Sequence, residues 1–212
     1  AWFWQNANGY FDGATDYLPL LQNWSLAVEE QFYILFPLVL LVLVRMGRRT
    51  TLCVTAALVL GSLVLAAWAT PRMPSASFYL LPTRIWELGV GSLLALGMAP
   101  RTAPRWLREL VGLLGLAAIF YAVTQYDGAT VFPGLAALLP VLGAAALIWV
   151  GSTGGSLAGR LLSWQPVVLV GLLSYSLYLW HWPIMAFARN RLLDVHLPPA
   201  WQAGTIALSF LL

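Results

Sequence analysis

The sequence predicts an all-α, polytopic bundle of transmembrane helices. Three observations carry this. Of 212 residues, 60% are hydrophobic and 9% are charged, whereas a soluble domain of ordinary composition is about 25% charged. The mean hydropathy is +0.79. The apolar residues fall in long runs, several near the roughly 20 residues that a helix needs to cross a bilayer, and most charged residues collect between those runs.

Residues 1–25 come first, aromatic and polar, with turn signals at Asn6, Asn8, Gly9, Gly13 and Pro19. Trp2, Trp4, Tyr10 and Tyr17 suit a loop at the membrane interface, where amphipathic rings prefer to sit. Apolar spans are expected at 26–44, 51–69, 84–98, 109–125, 131–150 and 166–188, and a shorter one begins near Trp201. The span 84–98 is short and glycine-rich (Gly89, Gly91, Gly97), a composition suited to close packing against a neighbour. Gly151–Gly159 is expected to be a flexible loop, and no internal repeat stands out. The chain starts without methionine and stops inside its last apolar run. The expectation is a fragment of a larger polytopic protein, with all of 1–212 in one transmembrane domain and 1–25 leading into its first span.

All eleven basic residues are arginine. Arg45, Arg48, Arg49, Arg101, Arg105, Arg108 and Arg160 fall in one alternate set of loops, and Arg72, Arg84, Arg189 and Arg191 in the other. The seven-to-four bias puts the first set in the cytoplasm and residues 1–25 outside. The net charge of +3 is spread over short loops rather than a basic stripe, so it reads as orientation and not as a nucleic-acid footprint. Cys53 is the only cysteine, which excludes an intrachain disulfide and a thiolate zinc cluster. With only His181 and His196, a histidine-built metal site is not expected.

The stretch QNWSLAVEEQFYILFP, residues 22–37, sets out the candidate chemistry. Asn23, Trp24 and Ser25 form a polar approach, and Glu29 and Glu30 lie one to two turns inside the apolar segment. A charge at that depth costs several kcal/mol (about 2.5–3.5 on insertion scales), so intramembrane carboxylates mark function by default. The plainer alternative is that they complement the positive end of the helix dipole. Tyr33 lies four residues after Glu29 and three after Glu30, so its hydroxyl can reach either carboxylate. Arg84 and Glu87 are spaced to pair on one helix face, either as part of a site or as an interfacial ion pair. Ser174, Tyr178, His181 and Met185 form one helical stripe, and Pro183 frees the carbonyl of Leu179. His181 is either a base, a donor to substrate or a packed structural residue. On the predicted topology, Glu29 and Glu30 fall at the outer end of the first span, Arg84 and Glu87 at the outer start of the third, and His181 in the outer half of the sixth. The residues alone leave open an enzyme or a proton-coupled carrier or flippase.

Four stretches together resemble the membrane-bound acyltransferase 3 family, in particular the sugar O-acetylases of lipopolysaccharide O-antigen and peptidoglycan. They are PLLQNWSLAVEEQFYILFP (19–37), FYLLPTRIWELGVGSLLAL (78–96), FPGLAALLPVLG (132–143) and LLSWQPVVLVGLLSYSLYLWHWPI (161–184). The resemblance covers nearly the whole chain. One departure is Gln22-Asn23, where many relatives read His-Thr in PLLHTWS. The resemblance implies a multi-pass protein of the bacterial inner membrane that moves an acyl group, usually acetyl, from acetyl-CoA to a carbohydrate hydroxyl. It implies no bound cofactor or metal, and as partners acyl-CoA, the glycan acceptor and the lipid bilayer, with no nucleic acid. It also implies that the family's central histidine lies upstream of Ala1, that a periplasmic hydrolase-like domain often follows, and that this fragment is inactive alone. On that reading Glu30, with Glu29 second, orients or activates the missing histidine or the acceptor. Arg84, held by Glu87, steadies an oxyanion or a donor phosphate. His181, Tyr178, Tyr33, Trp24 and Ser25 shape the substrate path.

Overall fold

The computed structural model describes residues 17–100, 102–128, 130–192 and 198–211. The expected interfacial loop lies outside the described residues as far as residue 16, with Trp2, Trp4 and Tyr10, as do Arg101 and His196. The described helices are α1 (Asn23–Arg45), α2 (Arg48–Ala69), α3 (Pro74–Tyr79), α4 (Ile85–Ala95), α5 (Arg105–Gln125), α6 (Leu138–Thr153), α7 (Leu157–Leu162), α8 (Gln165–Leu192) and α9 (Pro199–Leu211). Short 3-10 turns at Leu81–Thr83 and Leu135–Ala137 lead into α4 and α6. Among the described residues, five helices are long and apolar enough to cross a bilayer: α1, α2, α5, α6 with its leading turn, and α8. The protein is a multi-pass membrane protein.

The span expected at 84–98 is shorter than the sequence suggested. Its helix has 11 residues, which at about 1.5 Å per residue covers about 16 Å of a hydrocarbon layer about 30 Å thick. Pro82 explains the break before it. Its ring nitrogen cannot donate to the carbonyl four residues back, at Phe78, so α3 cannot run on into α4. Leu80 is extended, with φ −102° and ψ 140°.

The chain forms two compact units, Val28–Ser163 and a smaller one of Ala1–Ala27 with Trp164–Leu212, the boundary falling within α1. In the larger unit, α2 buries Thr51, Thr55, Val59, Ser62, Ala66 and Ala69, a stripe at spacings of three and four that faces α4 and its leading turn. Val59, Ala66, Trp86, Leu93 and Ala137 form the core. Close approach rests on glycine: a Cβ on Gly89 would stand 2.5 Å from Val59 Cγ2, and one on Gly115 would stand 2.9 Å from the Gly143 carbonyl oxygen.

Hydroxyl groups seal the break between α2 and α4, as irregular backbone in a membrane protein requires. Thr70 Oγ1 donates to the Ala66 carbonyl at 2.7 Å. It then accepts from Ser77 Oγ at 2.8 Å and from the Gly134 amide at 3.2 Å, which uses its one hydrogen and both lone pairs. Thr83 Oγ1 shares its one hydrogen between the carbonyls of Ser77 at 2.8 Å and Leu80 at 2.9 Å. Ser62 Oγ donates to Pro82 O at 2.6 Å and accepts from the Trp86 amide at 3.1 Å.

The segment expected to be a flexible loop after α6 is instead held in place. Ser156 caps α7 by accepting from the Gly159 amide at 3.0 Å. Arg108 donates to the carbonyls of Thr153, at 3.2 Å, and Gly154. Glu109 accepts from the Leu157 amide at 2.8 Å. The composition GSTGG suggested freedom, but two charged side chains from α5 remove it.

In the smaller unit α8 packs against α9. The segment 17–22 runs along α8, tied by Trp182 Nε1 to the Leu18 carbonyl and by Asn190 Nδ2 to the Tyr17 carbonyl, each at 2.8 Å.

Candidate functional site

The candidate residues fall into separate groups, one in the smaller unit and two in the larger. In the smaller unit the group is built on two local rules. Pro183 sits inside α8 and offers no N–H, so the Leu179 carbonyl lacks its helical donor. Gln22 supplies one, its Nε2 standing 3.2 Å from Leu179 O. Tyr178 and His181 are three residues apart and so share one helix face, with ring centres 5.9 Å apart.

The hydrogen positions there follow from the acceptors. Tyr178 Oη donates to the Gln22 carbonyl at 2.6 Å. With that hydrogen committed, Ser25 donates to Tyr178 Oη or, at 3.4 Å, to the Gln22 carbonyl. His181 Nδ1 lies 2.8 Å from the Leu177 carbonyl. A carbonyl only accepts, so Nδ1 carries the proton and the neutral ring keeps a lone pair on Nε2. Gln22 is 3% exposed, and its Oε1 has no hydrogen-bond partner among the described residues. The hydroxyl hydrogens of Tyr178 and Ser25 are thus spent within the group, and what it offers a ligand is lone pairs on Ser25 Oγ and His181 Nε2. Such a face suits a molecule that brings hydrogens, as a polyol does.

The groups in the larger unit differ. Arg84 Nη2 pairs with Glu87 Oε2 at 2.8 Å, the two side chains 14% and 16% exposed. Arg84 Nη1 reaches the Phe78 carbonyl at 3.4 Å, the one that Pro82 leaves without a helical donor, and its guanidinium lies 5.7 Å from the Phe78 ring centre. Glu87 Oε1 is buried without a hydrogen-bond partner among the described residues. A cation at a helix break, steadied by one carboxylate and by backbone, suits an anionic group. Glu29 is half-buried and Glu30 exposed, and neither carboxylate has a hydrogen bond or ion pair among the described residues.

The expected Tyr33 contact does not form. Tyr33 is 57% exposed and meets Phe32 edge to face, ring centres 6.3 Å apart, so its hydroxyl bonds neither carboxylate; residue spacing allowed the contact, and the side-chain direction decided against it. Trp24 is half-buried at the start of α1. Gln22 is the residue the sequence reading undervalued. The signal was Pro183, whose stranded carbonyl demanded a donor from elsewhere. A cavity of about 550 Å³ between α8 and α9, with Arg191 at its edge and Trp201 in its wall, contains none of the expected site residues.

The acyltransferase domain model matches residues 1–212. A Bacillus subtilis protein, provisionally named a peptidoglycan O-acetyltransferase (YrhL), is 32% identical over 202 residues, covering 88% of this chain and 32% of the relative. A Komagataeibacter xylinus protein, provisionally named a membrane-bound transacylase (BcsY), is 31% identical, covering 94% of this chain and 50% of the relative. The peptidoglycan O-acetyltransferase OatA of Listeria monocytogenes is 29% identical, with 95% and 34% covered. The chain spans about a third to a half of the length of these relatives. No solved structure matches it. With the matched model running from its first residue to its last, the chain belongs to the acyltransferase 3 family of multi-pass membrane proteins.

Proposed function

We propose that the chain is membrane machinery of an O-acyltransferase of the bacterial inner membrane. It moves an acyl group, acetyl first among candidates, from acyl-CoA to a hydroxyl of a cell-envelope carbohydrate such as peptidoglycan or O-antigen. The family and the names of the relatives support the class of reaction. The observation that carries the acceptor side is the pair of lone pairs on Ser25 Oγ and His181 Nε2, ordered by Gln22 and Tyr178, which suits a sugar hydroxyl.

In acyl transfer the hydroxyl oxygen attacks the thioester carbonyl, the carbon–sulfur bond breaks, and the hydroxyl proton passes through a base to the departing thiolate. His181 Nε2 is a neutral acceptor set by the bond at Nδ1 and is suited to take that proton. Ser25 and Tyr178 orient the sugar, and Trp24 lines its path. Arg84, steadied by Glu87, suits a phosphate of the donor or a developing oxyanion. Glu30, and second Glu29, are uncommitted carboxylates able to orient an acceptor or to carry a proton; Tyr33 opens onto the path from the exposed face.

The test uses the complete open reading frame in a host without its own O-acetylase. Membranes receive radiolabelled acetyl-CoA, and label is sought in alkali-labile glycan esters. Label lost with Glu30→Gln and with His181→Phe, while the protein still inserts, is the expected result. Wild-type labelling by both variants overturns these assignments. The helix break at Leu80–Thr83 is also the kind of feature carriers use, and uptake of a labelled glycan without esterification would favour that reading.

A further inference from the structure

We propose that Gln22 is a positioning residue for His181. Its side-chain amide replaces the helix N–H that Pro183 withholds, and so holds the turn of α8 that presents the histidine. The inference deepens the proposed function, because it rests on His181 acting as the base.

The turn from Leu177 to Pro183 has three demands. The Leu177 carbonyl accepts from His181 Nδ1 at 2.8 Å, which fixes which ring nitrogen is free. The Tyr178 hydroxyl must be seated, and it is, on the Gln22 carbonyl at 2.6 Å. The Leu179 carbonyl must find a donor, and Gln22 Nε2 provides it at 3.2 Å. Two of the three are met by Gln22, one through its backbone and one through its side chain. The amide orientation is forced, since a carbonyl can face only the NH₂ end. Oε1 is then left buried and unpartnered, so the side chain is not arranged for its own hydrogen bonding. The ties of Leu18 and Tyr17 to Trp182 and Asn190 keep the whole segment along α8, with Gln22 at the turn that carries the histidine.

The experiment is a double-mutant cycle. Gln22→Met keeps length and packing but removes the donor. Pro183→Ala returns a backbone N–H to Leu179, which makes the Gln22 amide redundant. Acyl transfer is measured as kcat and KM for acetyl-CoA across pH, since a slightly misplaced group costs up to about 10²-fold. The rate of carbethoxylation of His181 by diethyl pyrocarbonate, read by mass spectrometry, reports the histidine without need of activity. Gln22→Met is expected to lower kcat about tenfold or more with KM unchanged, to displace the pH profile and to change the His181 labelling rate several-fold. Adding Pro183→Ala is expected to restore both readouts to within about threefold of the Pro183→Ala single variant, as coupling through one shared carbonyl requires. Unchanged His181 labelling in Gln22→Met overturns the proposal, and so does a labelling change that Pro183→Ala fails to correct. If Gln22→Met does not fold, Gln22→His, which keeps an N–H donor, takes its place; wild-type labelling there supports the role, and the altered rate of a lost contact counts against it. Labelling that follows the cycle in a protein with no acyl transfer at all upholds the positioning role and refutes the acyltransferase reading.

Discussion

Replacing Gly89 by alanine tests whether the short helix α4 owes its place to contact with α2. A Cβ at this position would stand 2.5 Å from Val59 Cγ2, inside any real carbon–carbon contact. Val59 is 6% exposed, and a helical valine is held to essentially one χ1 rotamer, so the methyl cannot swing aside. Overpacking of this kind costs about 1–3 kcal/mol, against a gain of roughly 0.5–1 kcal/mol from removing a helical glycine. The net expectation is a loss of about 1–2 kcal/mol, or roughly 2–8 °C in Tm for a chain of this size. Gly91, two residues on, meets nothing within 4 Å, so Gly91→Ala should be neutral or stabilising by up to about 1 kcal/mol. Thermal unfolding in detergent, followed by size-exclusion chromatography, gives both values side by side. Val59→Ala combined with Gly89→Ala should recover part of the loss. Equal shifts for the two glycines would refute the packing argument.

Three further outcomes are expected. Thr70→Val leaves the Ser77 hydroxyl and the Gly134 amide without a partner, each at about 1–3 kcal/mol, and should lower the detergent Tm more than Gly89→Ala does. Arg84→Gln strands a mostly buried carboxylate and should destabilise by about 3–5 kcal/mol, whereas the paired change Arg84→Met with Glu87→Met should fold nearly as well as the parent; acyl transfer is expected to vanish in both, which separates stability from function. Tyr178→Phe removes the seat on the Gln22 carbonyl, and should raise KM for the glycan acceptor several-fold while KM for acetyl-CoA stays put, as measured by initial rates.

What the sequence could reveal followed the reach of the interactions. The span of α2 is one long apolar run, and the Arg84–Glu87 pair needs only one helical turn, so both were legible. The break at Leu80–Thr83 was less so. FYLLPTRIW is apolar but for Thr83 and Arg84, and Pro82 was the one local signal that a helix must stop before the span expected from 84. The pinning of 153–159 was invisible because Arg108 and Glu109 act from 45 or more residues away. Tyr33 shows the converse: spacing brought it within reach of Glu29 and Glu30, but its ring points along Phe32. Gln22 stood out only as a departure from a motif. Its role depends on a proline more than a hundred and fifty residues downstream.

The Thr70 joint also bears on how the protein is made. Its partners, Ser77 and Gly134, are separated from it by 7 and 64 residues, so they leave the ribosome at quite different times. Until α5 and the turn before α6 have entered the bilayer, Thr70 has one lone pair unanswered and the backbone around α3 is only half enclosed. The segment that carries Arg84 thus takes its final form late in biogenesis. A host that slows insertion of the later helices would expose it to quality-control proteases.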